Sequence, residues 1–257
     1  VSRSNGVVIY EGTGMDAGPI ACVVILESRN QKTGPCLQQY IFRADLPPPE
    51  AAARGLDASC CGNCGLRGRV ERLPGQPFEL TRNVERECYL LLWREVLQVW
   101  REYHAGHYPR FTHPGSIRAL GYGRAVRLGA YGDPAAVPRY VHEELIADAR
   151  LALGYTHQWR SRPDLKAFCM ASVDSVAEAA EALALGWRCY RTVRVGDVEQ
   201  LAGEVICPGS VEAGQRLTCI ECRHCDGART GRNGSVCIRV HGSSTIAAVA
   251  AWRKVRA

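Results

Sequence analysis

Short apolar runs separated by turn-rich stretches open the chain: VVIY, ACVVIL and LQQYIF fall within residues 6–43, divided by EGTGMDAGP and ESRNQKTGP. Runs of this length bounded by Gly, Pro and Asn clusters predict two or three strands of a front sheet. The next segment, RADLPPPEAAARGLDASCCGNCG, carries three consecutive prolines and then clustered Gly, Asp and Ser. Its first half is expected to hold no regular element, and the whole reads as a loop that carries cysteines. Over residues 85–105, ERECYLLLWREVLQVWREYHA sets Leu92, Val96, Val99, Trp100 and Tyr103 at helical spacing, which predicts an amphipathic helix with its apolar face in the core. From residue 125 strands and helices alternate. AVRLGAY, GYTHQW, LKAFCMASV, WRCYRTV, EVICP and VCIRVHG read as strands; PRYVHEELIADARLAL, DSVAEAAEALAL, SVEAGQR and the C-terminal STIAAVAAWRKV read as helices.

Strands that alternate with helices pair in parallel through right-handed crossovers. No G-x-G-x-x-G fingerprint favours an open doubly wound sheet. The expected fold is therefore α/β, a TIM-like (β/α) barrel, complete or partial, with an N-terminal strand extension and cysteine-rich metal-binding segments. Residues 1–60 would supply N-terminal strands and a loop packed on the barrel, and residues 61–257 the barrel-like domain with two metal sites. Barrel enzymes keep their chemistry at the C-terminal ends of the strands. Four groups fall at such ends: Tyr131-Gly132-Asp133-Pro134, Thr156-His157-Gln158-Trp159, Ser172 with Asp174, and Cys207-Pro208. Asp133, His157, Tyr131 and Ser172 are accordingly the candidate catalytic residues, because a carboxylate and an imidazole on one rim can orient a substrate or move a proton. Taken singly, Asp133 is better read as a turn or helix-cap residue, since Pro134 suits a first helical turn. A lone His157 would be a satisfied structural histidine.

Cysteines change this picture most. Cys207, Cys219, Cys222 and Cys225 answer an earlier group of Cys61, Cys64 and Cys88. Thiolates two residues apart can converge on one ion, and soft sulfur selects zinc or iron–sulfur clusters over hard cations. The C-terminal set is a complete four-sulfur group, equally suited to a structural zinc or a 4Fe-4S cluster; His224 or His241 could replace one sulfur. The N-terminal set has three sulfurs and so an open position, or else zinc with a fourth ligand from Cys60, His104 or His107. Adjacent Cys60 and Cys61 cannot both aim at one ion, and Cys61 sets the two-residue spacing to Cys64. Cys169, Cys189 and Cys237 sit in strand patterns, where a thiol is a small buried hydrophobe.

The chain of 257 residues is long enough for a sizeable core, and its 46% hydrophobic content fills one. Thirteen cysteines would suit a secreted disulfide protein, but the count is odd and VSRSNGVVIYEG lacks the n- and h-regions of a signal peptide. A reducing cytoplasm is expected, and no apolar run reaches membrane-spanning length. The net charge of +6 comes from scattered arginines, which read as a solvated surface and leave only a weak expectation of nucleic acid.

The motifs IYEGTGMDAGPI, NQKTGPCLQQYIFR, GLDASCCGNCGLRG, ECY followed by VWREYHAGHYPR, VRLGAYGDPAAVP, GYTHQW, CMASVDS, ALGWRCYR and CPGSVEAGQRLTCIECRHCDG cover nearly the whole chain. In this order they resemble an uncharacterised family encoded by bacteriophages, prophages and plasmids. The family pattern of C-x2-C followed at a distance by C-Y is matched at Cys61, Cys64, Cys88 and Tyr89, and the chain departs from it at LLLWREVLQVW, where a more glycine-rich stretch is usual. A looser similarity runs to radical S-adenosylmethionine enzymes, partial barrels with three cysteines after an early strand, although their compact C-x3-C-x2-C is absent. That similarity implies a 4Fe-4S cluster on the first cysteine group, with S-adenosylmethionine as a further cofactor. tRNA-guanine transglycosylase-like barrels, which carry a C-terminal cysteine-rich zinc site, are a second analogy, without their catalytic motifs. The implied function is a phage-associated iron–sulfur metalloenzyme in the host cytoplasm, acting on a small molecule, a nucleic acid or its precursor. The alternative is a non-catalytic zinc protein that binds nucleic acid or a protein partner.

Overall fold

The computed structural model describes residues 4–72, 81–214, 217–231 and 234–240. β1 (Gly6–Thr13), β2 (Pro19–Ile25) and β3 (Leu37–Arg43) form an antiparallel meander, so the front sheet opens with three strands. Every residue of β3 is buried, as expected for a strand covered on both faces. Its two glutamines are satisfied there: Gln39 donates to His142 Nδ1 at 3.2 Å and accepts from Gly129 N at 3.2 Å, and Gln38 donates to Thr33 Oγ1 at 2.9 Å.

The proline run does not exclude a helix. Pro47 is extended at the N-cap, and α1 (Pro48–Ala53) starts on prolines, whose missing N–H groups would have had no partner in a first turn. α2 (Ala58–Cys61) follows, and then β4 (Arg69–Arg72) and β5 (Thr81–Val84) pair as a small antiparallel ribbon. The helix expected over 85–105 is shorter. Its first turn is a wide one over Leu92–Val96, and it continues as α3 (Leu97–His104). Glu87 N and Cys88 N both donate to Leu66 O, at 3.1 and 2.9 Å, and this tie to the cysteine loop holds the preceding residues out of the helix.

α4 (Pro114–Gly121), β6 (Ala125–Tyr131) and α5 (Arg139–Ile146) lead into β7 (Leu151–Leu153) and β8 (Tyr155–Thr156). The predicted helix through LAL thus ends early, because Leu151–Leu153 pairs with Ala125–Arg127 instead. β9 (Met170–Val173), α6 (Val176–Ala184), β10 (Cys189–Val193), β11 (Glu204–Ile206), the single-turn α7 (Cys219–Cys222) and β12 (Ser235–Arg239) complete the described elements. SVEAGQR supplies one 3-10 turn at Val211–Ala213. The expected C-terminal helix and His241 lie outside the described residues.

The protein is mixed α/β, with two five-stranded sheets ordered β1-β2-β3-β6-β7 and β11-β12-β10-β9-β8. β3, β6 and β7 are mutually parallel, as is the whole second sheet. Among the described residues these pairings do not draw the closed ring of a complete barrel. The two sheets meet at one residue: Gly154 alone separates β7 from β8, so a single length of chain belongs to both. A Cβ there would stand 3.0 Å from Cys169 Sγ and 3.1 Å from Leu128 Cβ, a closeness that glycine tolerates. Among the described residues no helix is long and apolar enough to cross a membrane.

The second sheet buries an ion pair. Arg191 Nη2 and Glu204 Oε2 are 2.7 Å apart, with side chains 1% and 4% exposed. Burial opposes the charge on Glu204, but Arg191 and Leu201 N outweigh it and hold the carboxyl below its usual range. Because the folded value is depressed, this contribution to stability is present above the ordinary carboxylate range and fades as pH falls through and below it. Glu204→Gln should strand a buried guanidinium and cost about 3–5 kcal/mol. Urea denaturation of both proteins at neutral pH and at pH 4 tests this, with the gap expected to narrow in acid.

Candidate functional site at the strand ends

The C-terminal ends of β6, β8 and β9 meet. Gly132, at φ +78°, turns the chain after Tyr131 where a Cβ would lie 2.4 Å from Ile41 O, so only glycine fits. Asp133 follows and is buried. Its Oδ1 accepts from Ala135 N at 2.9 Å and Thr156 Oγ1 at 2.6 Å, and its Oδ2 accepts from His157 N at 2.8 Å. Burial pushes the carboxyl's proton affinity up against these three donors. Asp133 therefore caps one strand end and fixes the next; it binds backbone and a hydroxyl rather than facing the His157 ring.

His157 is the convergence point. Its Nε2 stands 3.2 Å from Ser172 Oγ, 3.3 Å from Asp174 Oδ2 and 3.7 Å from Cys64 Sγ. Burial alone would lower its proton affinity, but the hydrogen bonds with Asp174 and Cys64 outweigh it and raise it well above the ordinary value. All three partners meet the same ring nitrogen, so this is not a relay in which a carboxylate orients one nitrogen while the other serves a nucleophile. Three polar groups crowd one imidazole nitrogen. Tyr131 lies close by, buried, with its phenol pushed well up by burial and then by Cys60 and Cys61.

The first cysteine group reaches this rim. Cys64 N donates to Cys61 O at 3.3 Å, the tight turn that two-residue spacing implied. Arg67 holds the turn through Asp57 Oδ1, Gly62 O and Gly55 O, at 2.6–2.9 Å. Cys60 is buried and donates to Asp57 O at 3.3 Å, whereas Cys61, Cys64 and Cys88 line one cavity of about 90 Å³ with Arg67, Arg86 and Tyr131. The Cys60 thiol, 3.8 Å away, and then burial push Cys61 well above its ordinary value; burial raises Cys88 against the opposing charge of Arg86.

The second group borders the neighbouring hollow. Thr218 and Glu221 form a reciprocal cap that starts α7, placing Cys219 and Cys222 at its two ends. Arg188 clamps the following loop through Asp226, Gly227 O and His224 O, at 2.5–2.6 Å. Cys207, Cys219 and Cys225 line a cavity of about 130 Å³, while Cys222 Sγ lies 3.3 Å from His224 Nδ1. Leu66, Tyr89, Tyr155 and His157 form walls of both cavities, so the two thiol groups border adjoining cavities. Among the described residues no three His, Cys, Asp or Glu side chains are gathered closely enough to enclose a metal ion as they stand.

By ligand type, thiols are what a thiophilic ion would take. Burial pushes Cys225 well up, and Cys219, Cys207 and Cys222 each add to the rise, so these three thiols lie near Cys225. A cation among them would remove that mutual repulsion. Cys64 likewise raises both Cys61 and Cys88, and two guanidiniums, Arg67 and Arg86, stand beside that set.

Several site residues fall outside the candidate catalytic set read from sequence. Asp174 was visible as a polar strand end, yet its pairing with His157 was not. Arg86 and Arg127 gave no signal, because a single arginine in a strand or loop reads as solvated surface. Comparison with protein families, with curated proteins and with solved structures finds no match to this chain.

Proposed function

We propose that this chain is a cytoplasmic metalloenzyme whose substrate enters the hollow between two thiol groups, within a partial barrel-like arrangement of the two sheets. The observation that carries this reading is the shared wall: His157, with Ser172, Asp174 and Cys64 at its Nε2, borders both the cavity of Cys61, Cys64 and Cys88 and that of Cys207, Cys219 and Cys225. Three thiols leave a coordination position open, and four complete a set. The first group is thus the reactive centre, an iron–sulfur cluster for which S-adenosylmethionine is a candidate co-ligand, and the second pins the loop after β11.

An iron–sulfur cluster at the first group would supply electron transfer or an open iron to hold a substrate heteroatom. The chain's own residues do the rest. His157 holds a proton at Nε2 against Asp174, Arg86 offsets thiolate charge, and Leu66 and Tyr89 limit water at the cavity wall. The resemblance to phage, prophage and plasmid proteins supports a nucleic acid or its precursor as the ultimate target. The complete four-sulfur second group also favours the alternative in which zinc is structural throughout and the rim binds nucleic acid or a protein partner.

Anaerobic purification followed by iron, sulfide and zinc analysis, with a visible spectrum, separates these readings. Roughly four irons and four sulfides per chain, with visible absorption, are expected for one cluster. Zinc alone and a colourless protein would establish the alternative. Neither metal above trace level would sink both.

A further inference from the structure

Arg127 lies on β6, where alternation sends it to the face opposite Val126 and Leu128 and into the 130 Å³ cavity. Its Nη2 donates to Tyr89 Oη at 2.6 Å and Tyr155 Oη at 2.9 Å. Among the described residues no carboxylate lies within ion-pair distance of it, although the buried arginines Arg43, Arg188, Arg191 and Arg239, the last on the same cavity wall, each hold one. Lys32 borders the same cavity, and the carboxylate on its wall, Glu87, is engaged by Arg194 at 2.7 Å. Among the described residues no carboxylate of the cavity wall is left to pair with Arg127. Beside it Tyr155 and Tyr190 stack with ring centroids 4.6 Å apart and planes 13° from parallel. Leu153 and Ile238 complete an apolar side.

We propose that this cavity binds a small planar organic anion, an aromatic or heteroaromatic carboxylate, with its carboxylate on Arg127 and its ring against the tyrosine pair. Guanidinium and carboxylate match as forked donor and acceptor, and flat aromatic walls select a flat ligand. The volume accommodates one ring with its carboxylate. The inference deepens the reading of the hollow as a substrate site by naming the substrate class.

Calorimetric titration of the protein as purified, with its metal content measured on the same sample, tests this using benzoate, its neutral counterpart benzyl alcohol, and inorganic phosphate. Benzoate should bind saturably and at least about tenfold more tightly than either control. Arg127→Gln should weaken benzoate at least about tenfold and leave benzyl alcohol unchanged, with Arg127→Lys between. Equal binding of benzoate and benzyl alcohol in the unaltered protein, which needs no variant to fold, would overturn the proposal. So would unchanged benzoate affinity in Arg127→Gln, or loss of metal from that variant in step with affinity, which would make the guanidinium a counter-charge to Cys219. Benzoate binding in protein that carries neither iron nor zinc would leave the anion site standing and defeat the metalloenzyme; metal without benzoate binding would do the reverse.

Discussion

On the proposed metal site, Cys225→Ser is expected to release the ion held by the C-terminal group and lower the melting temperature by on the order of 10 °C. Cys225 lies within the fields of Cys207, Cys219 and Cys222, and its carbonyl accepts from Gly154 N at 2.9 Å. Serine keeps the size and offers a hard oxygen that a thiophilic ion binds poorly. An intact structural zinc site contributes on the order of 10 kcal/mol in apparent binding, so losing one of four thiolates should cost several kcal/mol. Removing metal from both proteins with a chelator should bring their melting curves together. If a gap of the same size survived the chelator, the effect would belong to packing, and the second metal site would be wrong.

Asp133→Asn should destabilise the fold by on the order of 2–3 kcal/mol, whatever it does to activity. The carboxylate accepts three hydrogen bonds and donates none. An asparagine retains one acceptor oxygen and must turn an NH₂ toward a donor, either His157 N or the pair of Ala135 N and Thr156 Oγ1. Donor then faces donor at a buried position. The sequence alone allowed this residue to be chemical or structural; the geometry expects the structural loss, with displacement of His157 following from it. Guanidinium denaturation of the purified variant measures the effect, and full stability would return Asp133 to the list of groups that meet substrate.

The strand-end rim was legible because parallel strands are short apolar runs whose C-terminal ends fall on one side; Asp133 and His157 follow such runs, and Ser172 lies near the end of β9. The hidden parts were decided at long range. Leu151–Leu153 continues a helical period and becomes a strand only because β6 offers it partners. The late helix start at Leu92 depends on Leu66 O, and no local pattern encodes an acceptor that far away. Proline in the first turn of α1 is a local rule that three consecutive prolines concealed. Thiol spacing announced two groups, but not that their cavities share walls, since Leu66, Tyr89, Tyr155 and His157 come from segments far apart in sequence. Arg127 was invisible for the opposite reason: one charge in AVRLGAY looks like the wet face of a strand, and only the second sheet turns that face inward.

The strand shared at Gly154 also bears on how the molecule comes apart. Ala152 pairs toward Val126, Met170 N donates to Gly154 O, and Gly154 N reaches the loop of Cys225. A chain segment that closes hydrogen bonds on three sides gives neither sheet an independent boundary at which to open. Amide protons around residues 151–156 should therefore exchange with solvent among the slowest in the protein and at a common rate, marking one cooperative unit that spans both sheets.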